Sequence, residues 1–370
     1  MKRQKNQNRK DAAVPCQGNA ANLYNKDIVL SVDYHKKNME IRQLDCATGE
    51  ERRFRKPTTR EGIEAVVADA LKEAVLSGGQ VVWIMESTTG WARVKDLIGG
   101  KVRFLLCNVL KMPKEPKAYR NKTDRTDTGR MEREYLNGKL PLAYQTPADS
   151  RKLRRLTSLR EDLTSRRTQL RNQVSSYLSH ETWEPTTGLW SAKGLARLTR
   201  LAAAKDDDGL MLRLKLKELE EQAEKLEEVE AAILKVYAAS PKAQKLDAVK
   251  GIAPVSAVSI LSRIGPAERF PSGESLVALA GLAPGVRSSD DTRRSGRIGG
   301  GGTDKWLRHY IIEATIWARK IPRYKEAYER TLKRRGSKIA RIVVGRMLLR
   351  SIHKMLKDDI AFDPSARAAA

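Results

Sequence analysis

The stretch QVVWIMES, residues 80–87, contains the most apolar run of the chain. Its length suits one buried central strand, and the run ends on an acid, Glu86. A second apolar strand, DIVLSVDY at 27–34, places Asp33 on the face opposite Leu30. An acidic residue at the end of a buried strand is costly unless a cation satisfies it. The two strands therefore indicate an α/β core and mark two candidate functional carboxylates.

The residues around these strands alternate as in a mixed α/β domain. Two further strands flank the turn-like sequence CATG, and amphipathic helices follow. The pattern predicts the order strand, strand, strand, helix, strand, helix, strand. The other elements of this order are expected at 39–45, 50–56, 60–76, 91–98 and 101–108.

A basic stretch, RNKTDRTDTG at 120–129, holds Asp124 and Asp127 one helical turn apart. Neutralising the surrounding charge needs no particular spacing, whereas holding a metal ion does. Together with Asp33 and Glu86, these residues make four carboxylates that are expected to meet at one sheet edge. The candidate phosphate contacts in the same stretch are Arg120, Lys122 and Arg125.

Four converging carboxylates repel each other unless divalent cations neutralise them. Hard oxygen ligands favour Mg²⁺ or Mn²⁺. Two such ions about 4 Å apart can activate an attacking oxygen and stabilise a leaving oxygen in phosphoryl transfer. The alternative for each acid is a cap or a salt bridge to a neighbouring arginine.

The charge balance points to a polyanionic partner. Lys and Arg number 71 against 45 Asp and Glu, which gives a net charge of +26. A membrane surface is the rival partner, but the basic residues are not gathered on one amphipathic segment. Nucleic acid is the better interpretation, and the basic N-terminus at 1–23 is expected to be a disordered arm that can touch phosphates.

No apolar run approaches the length of a membrane span. Cys16, Cys46 and Cys107 are odd in number and far apart, which favours free thiols in a reducing compartment over a zinc site. The expected location is therefore the cytoplasm.

The second half of the chain reads as helical. Leucines and other apolar residues recur at steps of three, four and seven in 150–179 and again in 210–237. An antiparallel coiled-coil arm is the simplest interpretation, and a helical bundle is the alternative. Residues 246–265 predict two helices joined near Gly251, in a helix-hairpin-helix arrangement or an ordinary helical hairpin. The segment 318–357 is basic and helical.

A polar loop, GLAPGVRSSDDTRRSGRIGGGG at 281–302, contains a candidate nucleophile, Ser289. A serine hydroxyl needs activation by a base, a metal or local charge, and arginines can clamp a phosphate beside it. The alternative is a serine that forms a turn or touches a phosphate, and Ser288 is a rival for the nucleophile. The arginines nearby are Arg287, Arg293, Arg294 and Arg297.

The combination of motifs resembles the DEDD transposases, the bridge-RNA-guided recombinases of insertion sequences, over about 24–357. The motifs that carry the resemblance are VDYHK (32–36), IMESTTGW (84–91), NKTDRTDTGR (121–130), GIAPVSAVSIL (251–261) and ALAGLAPGVRSS (278–289). The resemblance implies a fold of class α/β plus α. Its parts are a ribonuclease-H/RuvC-like catalytic domain at 24–145, a coiled-coil or helical arm at 146–245, a helical transposase domain at 246–360 and a disordered tail at 361–370.

The resemblance also implies a mechanism. The four acids hold Mg²⁺ beside a DNA phosphate, and Ser289 becomes covalently joined to DNA until a DNA hydroxyl from the other duplex resolves the bond. The relatives form the composite site between protomers, assemble from dimers to tetramers and choose donor and target DNA through a structured non-coding RNA. This chain departs from the family at Asp290, where glycine is common, at Thr128, where alanine is usual, and in the turn at Gly251.

Two other functions remain open on the sequence. One is a metal-dependent nuclease of the Holliday-junction-resolvase type, which would use water and leave Ser289 idle. The other is a nucleic-acid-binding structural protein without chemistry, although such a protein gains nothing from acids that repel phosphate.

Overall fold

The computed structural model describes residues 26–113, 124–283, 286–289, 292–295, 298–300 and 302–364, with side chains described except at 124–127, 286–289 and 292–295. The expected arm at 1–23 and most of the tail at 361–370 lie outside the described residues. The chain divides into two compact units, Met1–Gln145 and Thr146–Ala370. The finer domain boundaries near 245 and 360 remain predictions.

Five strands form the sheet of the first unit: β1 (Ile28–Tyr34), β2 (Asn38–Asp45), β3 (Glu51–Pro57), β4 (Val81–Glu86) and β5 (Arg103–Cys107). Their order in the sheet is β3-β2-β1-β4-β5. The first three strands are antiparallel neighbours, whereas β4 pairs parallel with β1 and with β5. The predicted order of elements is therefore confirmed, and the mixed sheet is consistent with an RNase H-like domain.

Helices cover both faces of this sheet: α1 (Arg60–Ser77) and α2 (Trp91–Ile98) on one face, and α3 (Asp124–Leu136) on the other. Side chains alternate along a strand, so Leu30 and Trp83 pack in the core with α1 and α2. Val29 and Ile84 pack instead with residues of α3. Burial on both faces explains why β1 and β4 read as almost continuous apolar runs.

Helix α3 runs antiparallel to β1. Near its C-terminal end, the Tyr135 hydroxyl donates to Asp27 Oδ2 at 3.1 Å, just before β1 begins. One turn earlier, Glu132 Oε2 lies 3.1 Å from Arg42 Nε, and Arg42 is the register partner of Ser31 in mid-strand. The first turn of α3 therefore lies toward the carboxyl end of β1.

The second unit is mostly helical. Its helices are α4 (Ala148–Glu181), α5 (Ala192–Ala202), α6 (Asp207–Ala238), α7 (Pro241–Asp247), α8 (Pro254–Ile264), α9 (Gly273–Leu279), α10 (Lys305–Ala318) and α11 (Pro322–Lys357). No helix in the described part of the chain is both long and apolar enough to span a membrane.

The long helices α4 and α6 pack side by side in opposite directions. Leu178, near the end of α4, shares a core cluster with Leu212, near the start of α6. Leu163, in the first half of α4, shares the other cluster with Ile233, near the end of α6. The antiparallel helical pair expected from the sequence is present, and its supercoiling remains a prediction. The segment that the sequence did not place contains α5.

Two details of the C-terminal region differ from expectation. The first helix of the pair around Gly251 lies earlier than predicted, because Ser240 caps it by accepting from Ala243 N at 3.2 Å. The loop expected between α9 and α10 contains two short antiparallel strands, β6 (Val286–Ser289) and β7 (Thr292–Ser295). Their arginines and serines have little intrinsic strand preference, so the composition suggested a loop.

A buried charged network joins three helices of the second unit. The Glu161 carboxylate of α4 pairs with Arg263 of α8, and the Glu161 side chain is only 1% exposed. Arg263 Nη1 lies 3.7 Å from Asp304 Oδ2, and the Asp304 carboxylate also accepts from Leu307 N at 2.9 Å at the start of α10. Arg154 completes the network, with Nη2 at 2.9 Å from Asp304 Oδ2.

We expect Tyr135→Phe to lower the free energy of unfolding by about 1–3 kcal/mol, because the buried Asp27 carboxylate loses a hydroxyl donor. Chemical denaturation monitored by circular dichroism measures the change. Tyr237→Phe is the matched control, since it removes a 2.8 Å bond to Asp247 at a less buried position and should cost less. Equal losses in the two variants would contradict the anchoring role of Tyr135.

The buried network should make stability depend on pH. Burial raises the pKa of Glu161 to about 7, although Arg263 opposes the shift. Because the folded chain then binds a proton more tightly than the unfolded chain, the free energy of unfolding falls as pH rises from about 4.5 to 7. We expect Glu161→Gln to flatten this fall in urea titrations at pH 5 and 7.5. The exposed Glu224→Gln should not, and an unchanged slope in Glu161→Gln would refute the assignment.

Candidate active site

Asp33 and Glu86 occupy neighbouring positions at the edge of the sheet that is formed by the carboxyl ends of the adjacent strands β1 and β4. Val32 of β1 is the register partner of Met85 of β4, and each acid is the next residue along its strand. By strand alternation both acids belong to the face that α3 covers. Both are half-buried. The carboxyl ends of two parallel strands thus bring these two predicted site residues together.

His35 is a polar neighbour of Asp33 that the sequence reasoning missed. Its Nε2 lies 3.3 Å from Asp33 Oδ2, and its side chain is exposed. The motif VDYHK (32–36) already indicated this neighbour, because residues two positions apart at the end of a strand lie on the same face. His35 can orient the Asp33 carboxylate or exchange a proton with it.

Asp124 and Asp127 lie in the first turn of α3. The helix from Asp124 to Tyr135 is about 16 Å long and the strand from Asp27 to Asp33 about 20 Å. Since α3 is anchored at Asp27 and runs antiparallel to β1, its first turn is directed to the level of Asp33. The backbone of α3 sets this level, and the side chains of the two acids are not described.

Arg42 fixes α3 against the sheet. Its guanidinium contacts Glu132 and also donates from Nη2 to Glu51 at 2.7 Å. Burial raises the pKa of Glu132, and the charge of Arg42 opposes that shift. A Cβ at Gly129 would lie 2.7 Å from Arg42 Nη1, so a larger residue there would displace the Arg42 guanidinium.

Cys107, on β5, is the register partner of Glu86 on β4. The thiol is buried, and burial followed by the charge of Glu86 raises its pKa to about 12. Cys107 is therefore a neutral thiol, and its Sγ contacts Met112 Sδ at 3.4 Å. It provides packing behind the acids and does not serve as a metal ligand or nucleophile in this state.

The donor chemistry at this edge suits a divalent ion. The two described acids offer hard carboxylate oxygens from adjacent strand ends. Within the described side chains no group of three or more His, Cys, Asp and Glu is placed to hold a metal. The side chains of Asp124 and Asp127 are not among those described, so a set of four acids stays a prediction.

The loop with Ser289 is a hairpin that returns between α9 and α10. In its register Ser289 pairs with Thr292, and Ser288 with Arg293. This backbone register does not distinguish the two candidates for the nucleophile.

The base of this loop is tied to the helical core. Gly299 N donates to Gly281 O at 2.9 Å, which closes the loop. Arg346 Nε donates to Leu282 O at 2.7 Å, and Arg308 packs against both glycines. A Cβ would lie 2.5 Å from Arg308 Nη1 at Gly281 and 2.9 Å at Gly299, and both residues have positive φ. The positive φ favours glycine at both positions, and a side chain there would also displace the Arg308 guanidinium.

The predicted phosphate contacts can be placed only in part. Arg287 belongs to β6, and Arg293 and Arg294 to β7, where Arg287 and Arg294 are register partners. Arg125 lies in the first turn of α3. Arg120, Lys122 and Arg297 lie outside the described residues, and the side chains of the other four are not described either. Their roles remain predictions.

Comparisons with known proteins agree with this architecture. A family model of DEDD transposases of the IS110 type, described as Transposase, matches residues 30–181. A second model, described as Transposase IS116/IS110/IS902 family, matches residues 243–330. The first match includes all four acids, and the second includes Ser289.

Two curated relatives show more distant similarity. The chain is 25% identical over 229 residues to "Putative transposase y4pF/y4sB" of Sinorhizobium fredii, which covers 60% of this chain and 56% of that protein. It is 26% identical over 158 residues to "Probable family 20 transposase" of Pseudomonas aeruginosa, which covers 40% of this chain and 46% of that protein. The matches thus span about half the length of each relative. Since the two family models together cover more than half of the chain, the chain belongs to the DEDD transposases of the IS110 family.

Proposed function

We propose that the chain is the recombinase of an insertion sequence, which cuts and rejoins double-stranded donor and target DNA through a phosphoserine intermediate. The observation that carries the proposal is the direction of α3, which takes the turn with Asp124 and Asp127 to the sheet edge that bears Asp33 and Glu86. A protein that only binds nucleic acid has no use for acids gathered where phosphate would lie, because they repel it.

The four acids would hold Mg²⁺ or Mn²⁺, since DEDD transposase domains use divalent metal ions. The ion supplies Lewis-acid stabilisation of charge that develops on phosphate oxygens. The residues of the chain have three other tasks. His35 orients Asp33, the Arg42–Glu132 pair keeps α3 in register with the sheet, and the buried Cys107 keeps water from the back of the site.

Ser289 would be the nucleophile. Its hydroxyl oxygen forms a new bond to phosphorus, and the phosphodiester bond to one DNA oxygen breaks. That DNA oxygen leaves as a hydroxyl and takes up the proton that the serine releases. A DNA hydroxyl from the other duplex then reverses the step, so strands are exchanged without net hydrolysis. The arginines of the hairpin, Arg287, Arg293 and Arg294, would neutralise the phosphate during both steps.

Partner selection belongs to the same proposal. As the resemblance to the bridge-RNA-guided recombinases implies, a structured non-coding RNA would choose donor and target DNA. The protein would then need to contact backbone and shape, which fits its net charge of +26 and its 5% aromatic residues. The acids and the serine are far apart in sequence, and a homo-oligomer, from dimer to tetramer, would unite them. The antiparallel pair α4 and α6 offers an arm for that assembly.

We expect Ser289→Ala to abolish the covalent protein–DNA adduct. The measurement incubates the protein and its co-purified RNA with labelled DNA that spans the ends of the encoding element, and separates the products on a denaturing gel. Ser288→Ala is the matched control and should retain the adduct. Loss in Ser288→Ala with retention in Ser289→Ala would assign the neighbouring serine. Cleavage by the wild type without any adduct would favour the water-using nuclease.

We expect Asp33→Asn to stop strand cleavage and to weaken Mn²⁺ binding by at least about tenfold. Even the loss of a residue that only hydrogen-bonds to a metal ligand typically weakens metal binding by about that factor. Duplex DNA binding should persist. Electron paramagnetic resonance of free Mn²⁺ and a cleavage assay provide the two readouts. Asp69→Asn, at an exposed acid of α1, is the control and should change neither. Unchanged cleavage and Mn²⁺ binding in Asp33→Asn would contradict the assignment of Asp33 to the metal site, and a wild type that binds DNA without cleaving it would leave only a binding function.

A further inference from the structure

The middle of α11 stands clear of the protein core. No residue between Tyr328 and Ala340 is buried, and the successive residues 332–339 are all exposed. A helix that lies on a core buries a residue every three or four positions. On either side α11 follows that rule, through Tyr324 and Val344. The intervening stretch has no buried face in the part of the chain that the structure describes.

A single glycine bends the helix in this stretch. Gly336 has φ 79° and ψ 171°, so regular helix ends there and resumes after it. A Cβ on Gly336 would meet nothing within 4 Å, so the glycine is needed for its backbone angles and not for space. The result is an exposed corner in the chain, formed by residues 330–339, which we call the basic bend.

The basic bend carries five cations and no acid, Arg330, Lys333, Arg334, Arg335 and Lys338. None of them forms an ion pair within the described residues, whereas the cations on either side do. Lys325 Nζ lies 3.8 Å from Glu329 Oε1, and Arg341 Nη2 lies 3.5 Å from Glu313 Oε1. Like charges this close repel each other, and a polyanion relieves that repulsion.

Shape selects among polyanions. A helical segment is about 10–12 Å wide with its side chains, which suits the major groove of B-form DNA at about 12 Å. The major groove of an A-form RNA helix is deep and too narrow to admit it. Because the bend is exposed on all its faces, cations on both sides of the corner can reach phosphates across a groove.

We propose that the basic bend docks on duplex DNA and contacts its phosphates without reading sequence. The bend lies beyond residues 243–330, which match the transposase family model, apart from its first residue. It also needs neither the acids nor the serine. The inference is therefore separate from the phosphoserine mechanism.

The test is the salt dependence of binding by the full chain. The test variant replaces four cations together: Lys333→Gln, Arg334→Gln, Arg335→Gln and Lys338→Gln. We expect the slope of log affinity against log salt concentration to become less steep by about three to four. Each phosphate that the protein no longer neutralises reduces the slope by about 0.9. The probe is a labelled DNA duplex of random sequence. Thermal melting should be unchanged, because the four side chains are exposed.

Two controls decide the outcome. Glutamine at Lys26, Lys56, Lys101 and Lys139 removes the same charge from exposed positions of the first unit and should leave the slope nearly unchanged. Binding to an RNA duplex of the same sequence should weaken much less than binding to the DNA duplex. Equal slopes in the two quadruple variants would show an effect of net charge alone, and an equal weakening for RNA would overturn the choice of DNA.

Discussion

The position of α3 on the sheet is the constraint on which the carboxylate site depends. Strand pairing alone places the two acids at the ends of β1 and β4. The other two acids can lie near them only if α3 runs antiparallel to β1. Tyr135 anchors its far end to Asp27, and Arg42 holds its middle through Glu132. These contacts lie at the opposite end of the sheet or in its middle, so the anchoring groups do not compete for the edge itself.

The serine loop follows the same principle in the second unit. Its base is fixed by backbone bonding between Gly281 and Gly299 and by Arg308 and Arg346 from two long helices. Loops on a rigid base are where reactive groups are usually carried, because the scaffold bears the cost of positioning.

Much of the first unit was predictable because burial on both faces gives continuous apolar strands, and an acid that ends such a strand stands out, as Glu86 does. The direction of α3 was not, because it depends on contacts such as that between Tyr135 and Asp27, which are far apart in sequence. The hairpin was missed since its residues resemble a loop. The bend at Gly336 was also missed, because an isolated glycine in a helical pattern is usually tolerated without a break.

Electrostatic repulsion explains why a site made of carboxylates needs basic surfaces elsewhere on the protein to bind DNA. Carboxylates that hold a metal repel the phosphates they act on until the metal is bound, so they contribute little to capturing DNA. A net charge of +26 shows that attraction is supplied by other parts of the chain. Cations already paired with acids, such as Lys325 with Glu329, are partly neutralised and add little. Arg334 and Arg335 are exposed and form no ion pair with any described residue, so their charges are available to phosphates. This is why the basic bend, and not total basicity, should govern binding to DNA.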